Sequence, residues 1–307
     1  MGRSVSRAAP GVVTIAFANV AGGRLVGDDG YGDADRTADF GNALAGLRPD
    51  VLIVTELDPD GDQLERLAAA AMPGRKAQLV RHSFSDSHIP GVEHLGVGIA
   101  SPYPLTELER IDLPNPSIDY LHWRTGEPME PHGKGFLIAR GDFGALGEID
   151  IVGGQVCPLH MFRNASGVPY TYREGPGREY GEQLAAYLRE ELAARGVRRA
   201  VVAGDLNMPS PREVFGKLDL VDGFGDPPPA TTPDGRSIDR LFSTRDLVTR
   251  EVEVVQLPGA DHYPVVCRVA RHPLVPTESG RIHEQDLTRP ATRSTAGIRG
   301  RTFQRDR

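Results

Sequence analysis

Ten apolar, strand-like runs and only three helical segments can be traced along this chain, and that imbalance limits the folds open to it. A doubly wound parallel sheet needs a crossover helix after nearly every strand. Here helical periodicity is confined to residues 33–47, 62–72 and 178–195. In the first, Phe40, Ala43, Leu44 and Leu47 fall at i, i+3, i+4 and i+7. In the second, Leu64, Leu67, Ala68 and Ala71 share a face; in the third, Tyr180, Leu184, Tyr187, Leu188 and Leu192 do. The strand-like runs are 12–19, 51–54, 77–81, 95–100, 135–139, 149–156, 199–203, 238–243, 248–256 and 264–269. This order predicts an α+β fold: a four-layer α/β/β/α sandwich, with two mostly antiparallel sheets face to face and helices outside. The 36 Gly and 25 Pro suit many short elements joined by turns.

At 39% hydrophobic and 25% charged, the chain can bury a core, and wholesale disorder is excluded. Residues 1–10 are expected to be a flexible N-terminus, 11–270 the folded domain, and 271–307 a disordered, Arg-rich tail. Arg3 and Arg7 before the run 12–18 give the look of a leader, but that run is short and β-branched and reads as a strand. No stretch approaches the ~20 apolar residues of a membrane span. Cys157 and Cys267 sit in apolar runs and read as buried thiols in a reducing compartment, so a cytoplasmic location is expected ahead of secretion or membrane association; a monomer is expected as well. The net charge of −7 hides an asymmetry: the tail holds eight Arg against four acids, a local +4, which leaves −11 for the body. An acidic body is a poor general coat for nucleic acid, yet it can hold a metal ion.

Polar residues that close apolar strands carry the functional information, because a buried polar group costs free energy unless partnered. Asn19 closes the first run; a turn before Gly22-Gly23 would also explain it. Glu56 follows the apolar 51–55, where a metal ligand and a structural ion pair are equally good readings. Asp205 and Asn207, in Gly204-Asp205-Leu206-Asn207, can orient a water and an oxyanion, or simply make an Asx turn into Pro209. Asp239 opens a late strand, and Asp261-His262 precedes the last one. His82, His88, His94, His122 and His132 show no metal-ligand spacing and read as solvated loop residues. The Pro-rich stretch 112–133 reads as a long functional loop, in which His122, Trp123 and Arg124 could wall a substrate pocket.

Taken together and in order, Asn19, Glu56, the Gly204–Asn207 segment, Ile238-Asp239 and Asp261-His262 resemble the endonuclease/exonuclease/phosphatase superfamily, the deoxyribonuclease-I-like fold. Residues 96–101 look like its middle strand, and the resemblance covers about residues 12–269. The family's middle histidine, which closes a strand before Leu, is placed at His160, where Pro158 and Met161 depart from the usual flanks. Abasic-site branches carry an acid two residues after the Asn; here that position is Ala21.

The resemblance implies Mg²⁺, with Mn²⁺ as a substitute, held by Asn19, Glu56 and Asp261. It implies that Asp205 activates water, that Asn207, His262 and His160 contact the phosphate, and that Asp239 orients His262. The expected activity is divalent-metal-dependent phosphoester hydrolysis, first of all as a phosphodiesterase or nuclease. The alternative substrate class is a small molecule or lipid headgroup: a nucleotide, an inositol phosphate or sphingomyelin. A non-catalytic binding protein on the same fold is the third reading. Only three lysines, Lys76, Lys134 and Lys217, speak against an extended nucleic-acid surface.

Overall fold

Alternation along the first strand shows how the layers arise. In β1 (Val12–Asn19), Ile15 and Phe17 point to one face and Ala16 and Ala18 to the other, and all four are buried. A strand buried on both faces lies between two other layers. A computed structural model describes residues 11–27 and 30–273 of the chain. The expected N-terminal segment 1–10, and all but the first three residues of the expected Arg-rich tail, lie outside the described residues.

The larger strands that follow are β2 (Val51–Leu57), β3 (Gln78–Asp86), β4 (His94–Ser101), β5 (Leu105–Asp112), β6 (Gly135–Asp142) and β7 (Glu148–Gln155). The second half supplies β8 (Ala200–Asp205), β9 (Leu220–Asp222), β10 (Asp239–Thr244), β11 (Leu247–Val254) and β12 (Val265–Arg271). They form two six-stranded sheets, in the orders β11-β12-β1-β2-β4-β3 and β9-β10-β8-β7-β6-β5. In each sheet the third and fourth strands are the one parallel pair, β1 with β2 and β7 with β8, and all other pairs are antiparallel.

The sheets pack through Ile15, Phe17, Ile53, Val97 and Ile99 of one against Leu137, Ala139, Ile151, Val201 and Leu241 of the other. Helices α1 (Thr37–Ala45) and α2 (Gln63–Ala71) cover the first sheet, with Phe40, Leu44, Leu64 and Leu67 on Ala16, Leu52 and Val54. Helix α3 (Gly175–Ala194) covers the second, with Tyr180, Leu184 and Leu188 on Ile138, Val152 and Val202. The four layers are those expected. A short α4 (Arg212–Phe215), β5 and β9 are additions. The charged sequence of β5, LTELERID, hides its pattern because it is an edge strand with much of its surface in water. The 112–133 loop is pinned by a two-residue ladder, Leu121–His122 against Phe162–Arg163. Among the described residues, no helix is long and apolar enough to cross a membrane.

Candidate active site

Both parallel pairs run to the same end of the sandwich, so their last residues meet. Asn19 closes β1, Gln155 closes β7 and Asp205 closes β8; Glu56 lies one residue from the end of β2. Asn19 Nδ2 donates to Asp205 Oδ2 at 3.3 Å, and Gln155 Nε2 donates to the same oxygen at 3.0 Å and to Glu56 Oε1 at 2.7 Å. Residues from both sheets therefore converge within hydrogen-bond reach.

Local backbone geometry aims these groups. A Cβ on Gly204 would lie 2.1 Å from the Gly154 carbonyl oxygen, so only glycine lets β7 and β8 approach this closely beside Gln155 and Asp205. Glu56 sits where the β2–β4 register slips, with φ of 50°, and Asn207 also has φ of 50°. Left-handed backbone at a non-glycine residue costs on the order of 1–3 kcal/mol and gathers at functional sites. Asn207 is held by its Nδ2 on the Val156 carbonyl (3.1 Å) and its N–H on Asp205 Oδ1 (3.2 Å).

The second cluster comes from two loops and a strand. Asp239, paired across the ladder with Asp205, receives the His262 Nδ1–H at 3.0 Å from each carboxylate oxygen. His262 Nε2 faces Asp205 Oδ2 at 3.9 Å. The loop bearing Asp261 and His262 is tied down by the Tyr263 N–H on the Thr231 carbonyl, while the Thr231 hydroxyl accepts the N–H groups of Ile238 and Asp239. Asp205, Asp239 and His262 bring one ligand atom each within 4.8 Å of one another, a spacing a metal ion could bridge.

Electrostatics divides these groups into roles. Burial penalises the Asp205 carboxylate; the His262 charge offsets part of this, Asp239 and Glu56 add to it, and the pKa rises to about 6. Burial alone would depress His262, but Asp239, Asp205 and Asp261 outweigh it and hold the ring protonated well above its ordinary range. Burial raises Glu56, but Lys134, His262, His88 and the Gln155 hydrogen bond together bring it below its ordinary value. Asp261 is raised, by burial first, and its Oδ1 is buried with no hydrogen-bond partner among the described residues.

All of these except Asn19 and Asp239 line one cleft of about 460 Å³. Its walls include Tyr31, His88, His122, His132, Phe162 and Arg236. Three of the five histidines read as solvated loop residues thus face the site, with the Tyr31 hydroxyl 3.1 Å from His88 Nε2. Of the expected wall residues only His122 lines the cleft; Trp123 is 39% exposed, under the Arg124 guanidinium. Cys157 also lines it, with its thiol pushed up to about 12 by burial and so unreactive at neutral pH.

The endonuclease/exonuclease/phosphatase family model matches residues 16–262. The chain belongs to that family. Solved structures similar to this member include an endonuclease/exonuclease/phosphatase from Beutenbergia cavernae (18% identity, TM-score 0.61, covering 85% of this chain and 72% of that one). The human Nocturnin catalytic domain with bound sulfate is similar at 14% identity and TM-score 0.55, over 85% and 94% of the two chains. A mannosyl-6-phosphatase from Bacteroides thetaiotaomicron is similar at 14% and 0.53, over 84% and 99%. At these identities the likeness is one of fold. No curated protein sequence matches the chain.

Endonuclease/exonuclease/phosphatase family members generally hydrolyse phosphoesters, and here the middle histidine takes an unexpected place. The strand expected to deliver it ends in Gln155, in register with Asp205. His160 stands five residues later on a one-turn 3₁₀ helix, solvent-exposed at the rim of the cleft, where its Nε2 accepts a hydrogen bond from Arg236 Nη1 at 3.2 Å. Loss of water on its protein side, and then the Arg236 charge, push its pKa down to about 4, so the ring is neutral at pH 7. Gln155, Lys134 and Arg236 escape a sequence reading that looks for acids and histidines. A polar side chain interrupting the strand-like run 149–156 is the signal that points to Gln155.

Proposed function

We propose that this chain is a divalent-metal-dependent phosphoester hydrolase, with Asp205 as the base that takes a proton from the attacking water. The observation that supports this most is the meeting, in one cleft, of His262 held from behind by Asp239, a buried Asp205 3.9 Å from its Nε2, and an Asp261 oxygen with no partner among the described residues. A buried carboxylate oxygen without a donor suits a hard cation. Glu56 and Asp261 would hold Mg²⁺ or Mn²⁺. Asn19 would join them through an Oδ1 that already accepts the Ala21 N–H at 3.1 Å. The donor atoms of Asp205, Asp239 and His262 are engaged with one another or with Asn19 and Gln155, which favours the Glu56–Asp261 side for the ion. Bound there, the ion would neutralise charge that develops on the phosphate and the leaving oxygen.

The remaining roles follow from protonation states. With a pKa near 6, Asp205 is ionised at neutral pH yet basic enough to accept a proton. His262, protonated and fixed by Asp239, presents an Nε2–H toward a non-bridging oxygen. Asn207, Arg236 and the neutral His160 would complete the phosphate's surroundings. A bounded cleft of about 460 Å³ and a net charge of −7 favour a small phosphoester over a long nucleic acid. A nucleic-acid phosphodiester is the second reading, favoured by Arg236 at an open rim. A screen with Mg²⁺ and Mn²⁺ tests both. It should span bis(p-nitrophenyl) phosphate, nucleotides, inositol and sugar phosphates, sphingomyelin, RNA, and single-stranded and plasmid DNA, with Asp205→Ala as control. Hydrolysis of a small ester that resists added salt supports the first class, and steep salt inhibition on DNA or RNA the second. No metal-dependent turnover of any of them refutes the proposal.

A further inference from the structure

Glu56 belongs to one sheet and Asp205 to the other, and like charges facing one cleft repel. A single neutral side chain ties them together. The Gln155 amide nitrogen has two hydrogens, and it donates to Glu56 Oε1 at 2.7 Å and to Asp205 Oδ2 at 3.0 Å. Its carbonyl oxygen accepts from Lys134 Nζ at 2.7 Å. Gln155 is 6% exposed and Lys134 9%, so the bonds to Lys134 and Asp205 are buried and the bond to Glu56 is part-buried.

These bonds fix which way the amide points. The flipped amide would set its oxygen against two carboxylates and its NH₂ against an ammonium. Lys134 therefore orients Gln155, and Gln155 orients the acids. The arrangement also keeps a cation at one remove. A lysine bonded directly to Glu56 would cancel its charge and compete with a metal ion. An amide between them transmits the constraint and leaves both acids charged. With both amide hydrogens spent, Gln155 has none to offer a substrate.

We propose that Lys134 and Gln155 form a positioning pair, which locks Glu56 and Asp205 of opposite sheets in one geometry without neutralising either. The inference rests on the hydrolase reading above. Its test uses the full chain, Mn²⁺ alone as metal probe, and bis(p-nitrophenyl) phosphate as substrate. Loss of a residue that orients metal ligands typically costs 10–100-fold in metal affinity or rate. Gln155→Met should weaken Mn²⁺ binding, followed by calorimetry, by about that factor, and lower kcat similarly with KM within about twofold. Lys134→Met should act in the same direction. Because the two act in series, the double variant should be no worse than Gln155→Met alone. A packing role would give independent, multiplying losses. Lys134→Met serves alone if Gln155→Met does not fold, as judged by circular dichroism. If wild-type chain binds Mn²⁺ and turns over while the variants match it, or the two losses multiply, the pairing is wrong and the hydrolase reading stands. If wild-type chain neither binds Mn²⁺ nor hydrolyses any ester of the screen, both fall.

Discussion

The same sandwich buries carboxylates at both ends of its central strands, and it treats them in opposite ways. At the end away from the cleft, Asp50 is met by Arg75 (2.7 Å) and Asp150 by Arg140 (2.6 Å), while Asp246 is met by Arg199 (2.5 Å). For Asp246 burial would raise the pKa, but Arg199 and Thr244 outweigh it and the net shift is downward. At the cleft end, no arginine among the described residues meets Asp205 or Asp261, and burial drives both upward. One end is balanced within the protein. The other sets four carboxylates, Glu56, Asp205, Asp239 and Asp261, against Lys134 and a protonated His262. Burial alone does not set the proposed active-site acids apart; burial without a guanidinium among the described residues does.

The most severe way to break this contrast is to remove the acid assigned as base. Asp205→Ala, or His262→Ala, should lower turnover by on the order of 10²–10⁴ while the circular dichroism spectrum is preserved. Steady-state kinetics on the purified variants decides it, and near-normal rates would remove both residues from the mechanism. The matching change at the opposite end should leave the kinetics alone. Asp150→Ala strands Arg140, whose side chain is about a third exposed, and should cost about 2 kcal/mol. For a chain of this size that lowers Tm by roughly 4–8 °C in a thermal melt, with kcat unchanged.

How much of this could be read from the sequence differs between the two ends. The apolar runs and three helical periodicities carry the four layers, because burial on both faces leaves unbroken hydrophobic strings such as Val51–Val54. Asn19, Glu56, Asp205, Asp239 and Asp261-His262 can be picked out because each lies at, or just before, an end of such a string. The part played by Gln155 is not legible in sequence because a glutamine offers no obvious chemistry, and it rests on contacts to residues 21, 50 and 99 positions away. His160 drew attention because imidazole does offer chemistry, but a 3₁₀ turn carries it to the rim. The arginine partners at the far end are invisible in sequence, since Arg75 and Arg140 look like any surface arginine until the strands are aligned.

A third prediction sharpens the comparison by pH. In the proposed mechanism the working form of Asp205 is the carboxylate, so activity should be present above its pKa and lost as pH falls through it. With that pKa raised above the ordinary carboxylate range, the acid limb of kcat/KM should lie above the ordinary value of about 4 in a pH–rate profile. His262, protonated well above its ordinary range, should not cut activity at neutral pH. An acid limb near pH 4 would mean that burial does not tune this group.

The smallest effect is the most discriminating, because its sign should reverse between the two ends. Asp261 has a folded-state pKa raised above the ordinary 3.8. Its charged form is therefore disfavoured by folding, a penalty absent below pH 3.8 and fully present once pH exceeds the raised value. At pH 7 without metal, Asp261→Asn removes that penalty and should raise Tm in a thermal melt. Mn²⁺ should then stabilise the wild type and do little for the variant, because a ligand stabilises only the folded state that binds it. Removing the far-end acid Asp150 lowers Tm, whereas removing this one raises it. A drop in Tm for metal-free Asp261→Asn would mean that Asp261 is held by the protein itself, and the contrast between the ends would fail at its central residue.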